Sequence, residues 1–203
     1  AADIARLEDV RLSANWMAAC GTDGEDAKLF DAVRAASELC QALGISVPVG
    51  KDSLSMKTAW RDDGIDKTVV APVSLIASAA APVGDVRRSL TPQLVADNET
   101  LLILIDLGTG RNRMGGSILA QVTQQIGNDA PDLDQPSKLA AFVDAVRHLQ
   151  REGYVLAYHD RSDGGLFATL AEMSFAGHVG ISVNLDVLAV DPVAHDSGDF
   201  KSR

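Results

Sequence analysis

The sequence predicts a mixed α/β or α+β chain built in two parts, and three observations carry that expectation. Apolar residues recur at helical spacing over 27–43 and again over 137–153. Continuous aliphatic runs, TVVAPVSLIASAAA at 68–81 and LLILIDL at 101–107, read as buried strands. Between Pro82 and Glu99 the composition turns polar, and a boundary there divides the chain into parts over 1–90 and 91–203.

The elements follow in order. VRLSANWM (10–17) alternates as a strand, and in the loop GTDGEDA after it Asp23 is placed to cap a helix. That helix spans 27–43 on the stripe Leu29, Phe30, Val33, Ala36, Cys40 and Leu43, and Gly44 suits its stop. ISVPV (45–49) reads as a short strand presenting GKDSLSMKT at its end, and 68–81 as one long, largely buried strand interrupted at Pro72. In the second part LLILIDL leads into the flexible GTGRNRMGG (108–116), and SILAQVTQQI forms a helix ended by Gly127. SKLAAFVDAVRHLQREG (137–153) forms a helix capped by Ser137, striped by Leu139, Phe142, Val143, Val146 and Leu149, and ended by Gly153. YVLAYH (154–159) is a strand, a helix spans about 165–176, and VGISVNL (179–185) alternates as a strand. The tail DPVAHDSGDFKSR carries no such pattern.

Composition removes several function classes. A formal net charge of -10 over 203 residues argues against broad binding to nucleic acid or to an anionic membrane, leaving only a local basic site open. The two cysteines, Cys20 and Cys40, have neither CxxC spacing nor a histidine cluster, so the expectation is reduced thiols rather than a disulfide scaffold or a zinc site. The apolar stretches are too short for a membrane span or are diluted by Pro and Ser, and AADIARLEDVR has acids where a signal peptide needs a basic start. A soluble, cytoplasmic chain is expected.

Three glycine-bearing stretches are candidates for chemistry. PVGKDSLSMK (48–57) is not a phosphate loop: five residues separate Gly44 from Gly50, and Asp52 follows Lys51. What remains is a strand end presenting Gly50, the cation Lys51, the acid Asp52 and the hydroxyl of Ser53 together, suited to anionic groups or to Mg²⁺ and phosphate, against the alternative of a solvated turn. GTGRNRMGG offers backbone amides to an anion near a helix start, or is a plain loop. YHDRSDGGLFATLAEM (158–173) is the most specific. A strand end, two glycines and a helix start bring together Asp160 and Asp163 as hard oxygen ligands and Ser162 as a phosphate contact. The competing reading makes Asp163 or Ser162 a helix cap and pairs Arg161 with an acid. His159 reads as a packed strand residue rather than a base.

RLSANWMAACGTDGEDAKLFDAV, ALGISVPVGKDSLSMKT, LTPQL and LAYHDRSDGGLFATLAEMSFAGHVGI closely resemble successive segments of the large, multidomain phosphoribosylformylglycinamidine synthases of purine biosynthesis. Nearly the whole chain is covered. The resemblance implies a two-part architecture like that of aminoimidazole ribonucleotide synthetase, incomplete at both ends, from the later portion of the second of two synthase repeats. It implies conversion of formylglycinamide ribonucleotide to its amidine with ATP, glutamine and water. ATP activates the formamide oxygen and ammonia displaces phosphate. It further implies a second nucleotide site holding ADP with Mg²⁺ structurally, with Asp160 as the metal ligand, Ser162 as a nucleotide contact and Asp163 serving the turn.

Gly50, Lys51 and Ser53 fall where smaller relatives carry a GNVS-like sequence at the catalytic ATP, metal and substrate site, and Asn15 borders the same site. Lys51 replaces a metal-binding asparagine there, and an ammonium suits phosphate rather than Mg²⁺. No residue is assigned to the chemical step itself. The glutaminase domain, the first repeat and the upstream acids of the auxiliary site are expected from the rest of the polypeptide, so the isolated chain is expected to be inactive. A noncatalytic nucleotide-binding module or subunit is the alternative.

Overall fold

The computed structural model describes residues 1–97 and 99–186, which form a mixed α+β structure in two compact units. One unit comprises Ala2–Arg88 together with Gln135–His148; the other comprises Ala1, Ser89–Asp134 and the described residues from Leu149 to 186.

The first unit is organised by β1 (Arg11–Met17), α1 (Glu25–Leu43) and β2 (Ser46–Ser53). A helix joins β1 to β2 because parallel strands need a crossover connection, and α1 touches the sheet at β2. After a hairpin of β3 (Lys57–Asp62) and β4 (Ile65–Val70), β5 (Ser74–Ala80) pairs antiparallel with β1, giving the order β2-β1-β5. The run 68–81 is therefore two strands in two sheets rather than one long strand. The chain breaks at 71–73, where Pro72 has no amide to give to a ladder, and several of its side chains, Val69 and Ile76 among them, are exposed rather than buried. The β3–β4 turn has Asp63 and Gly64 both at positive φ (50° and 78°), the pattern that matches the twist of a two-residue hairpin.

β2 slips in register against β1. Arg11 pairs with Ser46 but Ser13 with Val49, so Val47 and Pro48 stand opposite Leu12 alone and form a bulge. The pleat then sorts side chains by parity. Ser13, Asn15 and Met17 share a face with Val49, Lys51 and Ser53 of β2 and with Ser74, Ile76 and Ser78 of β5, while Leu12, Ala14 and Trp16 occupy the other with Leu75, Ala77 and Ala79.

α1 starts differently from expectation. Its N-cap is Gly24 in the left-handed region, and Asp23 makes no capping bond; Asp26, in the first turn, accepts the Gly21 amide with both carboxylate oxygens at 3.2 Å. Its end matches: Gly44, at φ 69°, lets the amides of Gly44 and Ile45 close on the carbonyls of Gln41 and Cys40 (3.3 and 2.9 Å). α3 (Pro136–Arg151) begins at Pro136, so Ser137 lies inside the first turn and is not the cap. Arg147 of this helix donates to the carbonyls of Ile4 and Ala5.

In the second unit α4 (Gly165–Gly177) forms as expected, whereas α2 is only Ile118–Val122. α2 stops at Thr123, whose hydroxyl bonds back to the Leu119 carbonyl (2.8 Å), and Gln124 turns to φ 58°. LLILIDL, YVLAYH and VGISVNL, expected as strands, form none. A strand exists only with a hydrogen-bonded neighbour, and these runs have no ladder; Leu101 is 87% and Tyr154 76% exposed. The tail after 186 lies outside the described residues. Among the described residues no helix is long and apolar enough to cross a membrane.

Candidate functional site

The predicted site residues fall into two clusters, one in each unit. In the first, Asn15 and Lys51 are direct partners in the β1–β2 ladder and Ser53 lies two residues on, so all three stand on one face. GKDS is not a loop at a strand end: β2 runs through it, because β1 continues alongside and fixes it. The Ala18 amide bonds the Ser53 carbonyl (2.9 Å), Cys20 bonds Leu54 (2.8 Å) and Met56 returns to Ala18 (3.1 Å). Lys51 Nζ donates to Ser53 Oγ at 2.5 Å and to the Asp52 carbonyl at 3.0 Å. Gly50 pairs with Ala14 on the opposite face, and a Cβ there would meet nothing within 4 Å, so it stands apart from the other three.

Asn15 Oδ1 is buried and has no hydrogen-bond partner. Leaving such an acceptor unmet costs about 1–3 kcal/mol. Ser13, Ser74 and Ser78 share this face, together with the apolar Met17, Val49 and Ile76. Sequence reasoning missed these serines, although Ser74 and Ser78, four apart in β5, were a usable signal of a shared face.

The second cluster is HDRSDGG. The α4 N-cap is Gly164 at φ 82°, and neither Ser162 nor Asp163 caps the helix through its side chain; the Ser162 carbonyl instead accepts the Gly165 amide (3.0 Å). Thr169, buried in α4, ties the loop down through the carbonyls of Gly165 (3.0 Å) and Asp160 (3.5 Å). His159 is not in a strand, and its Nε2 shares a 2.6 Å hydrogen bond with Glu172 of α4. Arg161 bonds Asp106 at 3.3 Å. Asp160 keeps 75% of its side chain exposed, with His159 Nδ1 at 3.8 Å as its nearest ion-pair partner.

GTGRNRMGG serves its own fold. The amides of Gly108 and Gly110 are taken by Asp106 (3.0 and 2.8 Å), and Arg111 and Arg113 both bond Asp134. Partial burial pushes the Asp106 carboxyl up; the amides of Gly110 and Gly108 and the Arg161 guanidinium outweigh it and leave the pKa below the ordinary value. These bonds engage the first glycine amides and both arginines, while Arg113 Nε stays buried without a partner.

One cavity of about 370 Å³ lies against Arg11 and Pro82 and another of about 550 Å³ between Arg6, Gln41 and Arg147, and Lys51 and Asp160 line neither. Among the described residues no three His, Cys, Asp or Glu side chains gather as a metal cage. A single open carboxylate fits a different arrangement, in which Mg²⁺ is shared with phosphates and waters.

Residues 1–82 match the model of the FGAR-AT PurM_N-like domain, and residues 101–199 match that of AIR synthase related protein, C-terminal domain. Two such domains in tandem define a class of ATP-using synthases of mixed α+β fold. The chain belongs to the FGAM synthase and AIR synthase-related family of purine biosynthesis.

Proposed function

We propose that the chain is the later part of the second synthase repeat of an FGAM synthase, which makes formylglycinamidine ribonucleotide from formylglycinamide ribonucleotide, glutamine and ATP. Its amino-terminal-type part ends near residue 90, and a carboxy-terminal-type part spans 91–203. The observation that carries this reading is the gathering of Asn15, Lys51 and Ser53 on one sheet face around a buried, unpaired oxygen. Lys51 supplies a positive charge for a phosphate group and Ser53 a hydroxyl beside it, while Asn15 accepts a hydrogen bond from the ligand. Gly50 leaves the backbone open on the other side.

In the second unit Asp160 and Ser162, next to the amino terminus of α4, hold ADP with Mg²⁺ in a structural role. Bound there, the metal neutralises phosphate charge, and Asp160 contributes a carboxylate oxygen to it. A first repeat and a glutaminase domain of the same polypeptide supply the remaining parts of the reaction in the cytoplasm, with no nucleic acid or membrane involved.

Lys51→Ala and Ser53→Ala in the complete polypeptide each weaken handling of ATP or ribonucleotide by about tenfold or more, the loss of a charge-assisted contact of about 1.5–3 kcal/mol, without changing the circular dichroism. Unchanged kinetic constants in both variants would return this stretch of β2 to a solvated strand.

A further inference from the structure

Asp160 stands between two basic neighbours in sequence, His159 and Arg161, and either is within reach of its carboxylate by chain connectivity alone. Neither hydrogen-bonds it, although His159 Nδ1 keeps an ion-pair contact with it. His159 Nε2 is held by Glu172 at 2.6 Å, which leaves Nδ1 at 3.8 Å from Asp160; Arg161 is held by Asp106 at 3.3 Å, fifty-five residues away in sequence. Asp106 is itself fixed by the amides of Gly108 and Gly110, so it receives Arg161 at a set position. Arg161 is the competitor that matters most, since a guanidinium is always charged and bonds carboxylates in bidentate fashion.

We propose that Asp106 and Glu172 are positioning residues, the first holding Arg161 off Asp160 and the second holding His159 at the margin of ion-pair range, and that together they keep the Asp160 carboxylate open to a divalent cation. The inference rests on the reading of Asp160 as the Mg²⁺ ligand of a nucleotide site. It explains why a loop that needs a bare carboxylate carries an arginine next to it: the arginine docks the loop onto Asp106, and the same bond removes it from competition with the metal.

The test is the ADP affinity of the nucleotide-stripped complete polypeptide, measured calorimetrically with saturating Mg²⁺ and again with EDTA. The quantity of interest is the ratio of the two. In Asp106→Asn, Arg161 is released onto Asp160, and the Mg²⁺-dependent gain falls about tenfold, as for other residues that act on a metal ligand from outside its coordination shell, while metal-free affinity holds. In Asp106→Asn/Arg161→Gln the competitor is gone and the gain returns towards the wild-type value, a rescue that a merely structural role for Asp106 does not give. Glu172→Gln lowers the gain independently of the glycine loop, and decides the matter should Asp106→Asn fail to fold.

A gain unchanged in both single variants overturns the proposal. So does a double variant as weak as Asp106→Asn, or an equal loss of metal-free affinity. Asp160→Asn separates the two levels: if it keeps the full Mg²⁺-dependent gain, the reading of Asp160 fails and the proposal with it.

Discussion

At the scale of single residues, the motif HDRSDGG is legible in sequence as a turn into a helix, because glycines, acids and an apolar stripe are all local signals. What each acid does is not legible. Asp163 looks like a cap and makes no capping bond, since the N-cap position falls on Gly164, at φ 82°, which has no side chain to cap with. The partners of His159 and Arg161 are thirteen and fifty-five positions distant, and no spacing rule reaches them. The two glycines differ in what they forbid. A Cβ on Gly164 would lie 2.5 Å from the Ala168 Cβ, whereas one on Gly165, also at positive φ, meets nothing within 4 Å. Gly165→Ala therefore bears only the left-handed strain of about 1–2 kcal/mol, and Gly164→Ala bears that strain and a clash. Urea unfolding followed at 222 nm is expected to rank the midpoints wild type, Gly165→Ala, Gly164→Ala; equal midpoints for the two variants would remove the clash from the account.

At the scale of elements, helices and the βαβ unit read well from sequence because their determinants lie within one segment. α1 has its stripe and its terminal Gly44, and only its start differs. Asp26 rather than Asp23 binds the turn before it, so Asp26→Ala is expected to cost about 1 kcal/mol and Asp23→Ala to stay within about 0.5 kcal/mol in thermal unfolding; the reverse order would restore Asp23 as the cap. The β3–β4 hairpin was readable and missed. Asp-Gly at 63–64 between RD and ID marks it, and the long apolar run that follows hides it by suggesting a single strand. The strands expected in the second unit fail for the opposite reason: an apolar run records a wish to be buried, but the ladder that makes it a strand belongs to another segment. The Asn15, Lys51 and Ser53 cluster sits between these cases. Its residue types were readable, and their shared face became visible only with the register of β2 on β1.

At the scale of the whole molecule, the described residues leave much apolar surface uncovered, with Leu101, Ile103, Phe167 and Phe175 all largely exposed, and the three-stranded sheet ends in two open edges, β2 and β5. Open edges invite another chain to add a strand. Here proline punctuates both. Pro48 sits in the bulge of β2, and Pro72 and Pro82 stand just outside the two ends of β5. A residue without an amide hydrogen interrupts the row of donors along β2, and the bulge bends that row out of line. Pro48→Val removes the interruption within VPV, leaving three consecutive β-branched residues, and is expected to shorten the lag before thioflavin-positive fibres form on mild heating; a lag equal to wild type would mean that the bulge protects without its proline. The irregularity that spoils the β1–β2 register thus acts as a gatekeeper, slowing the self-templated growth that an uninterrupted edge would seed.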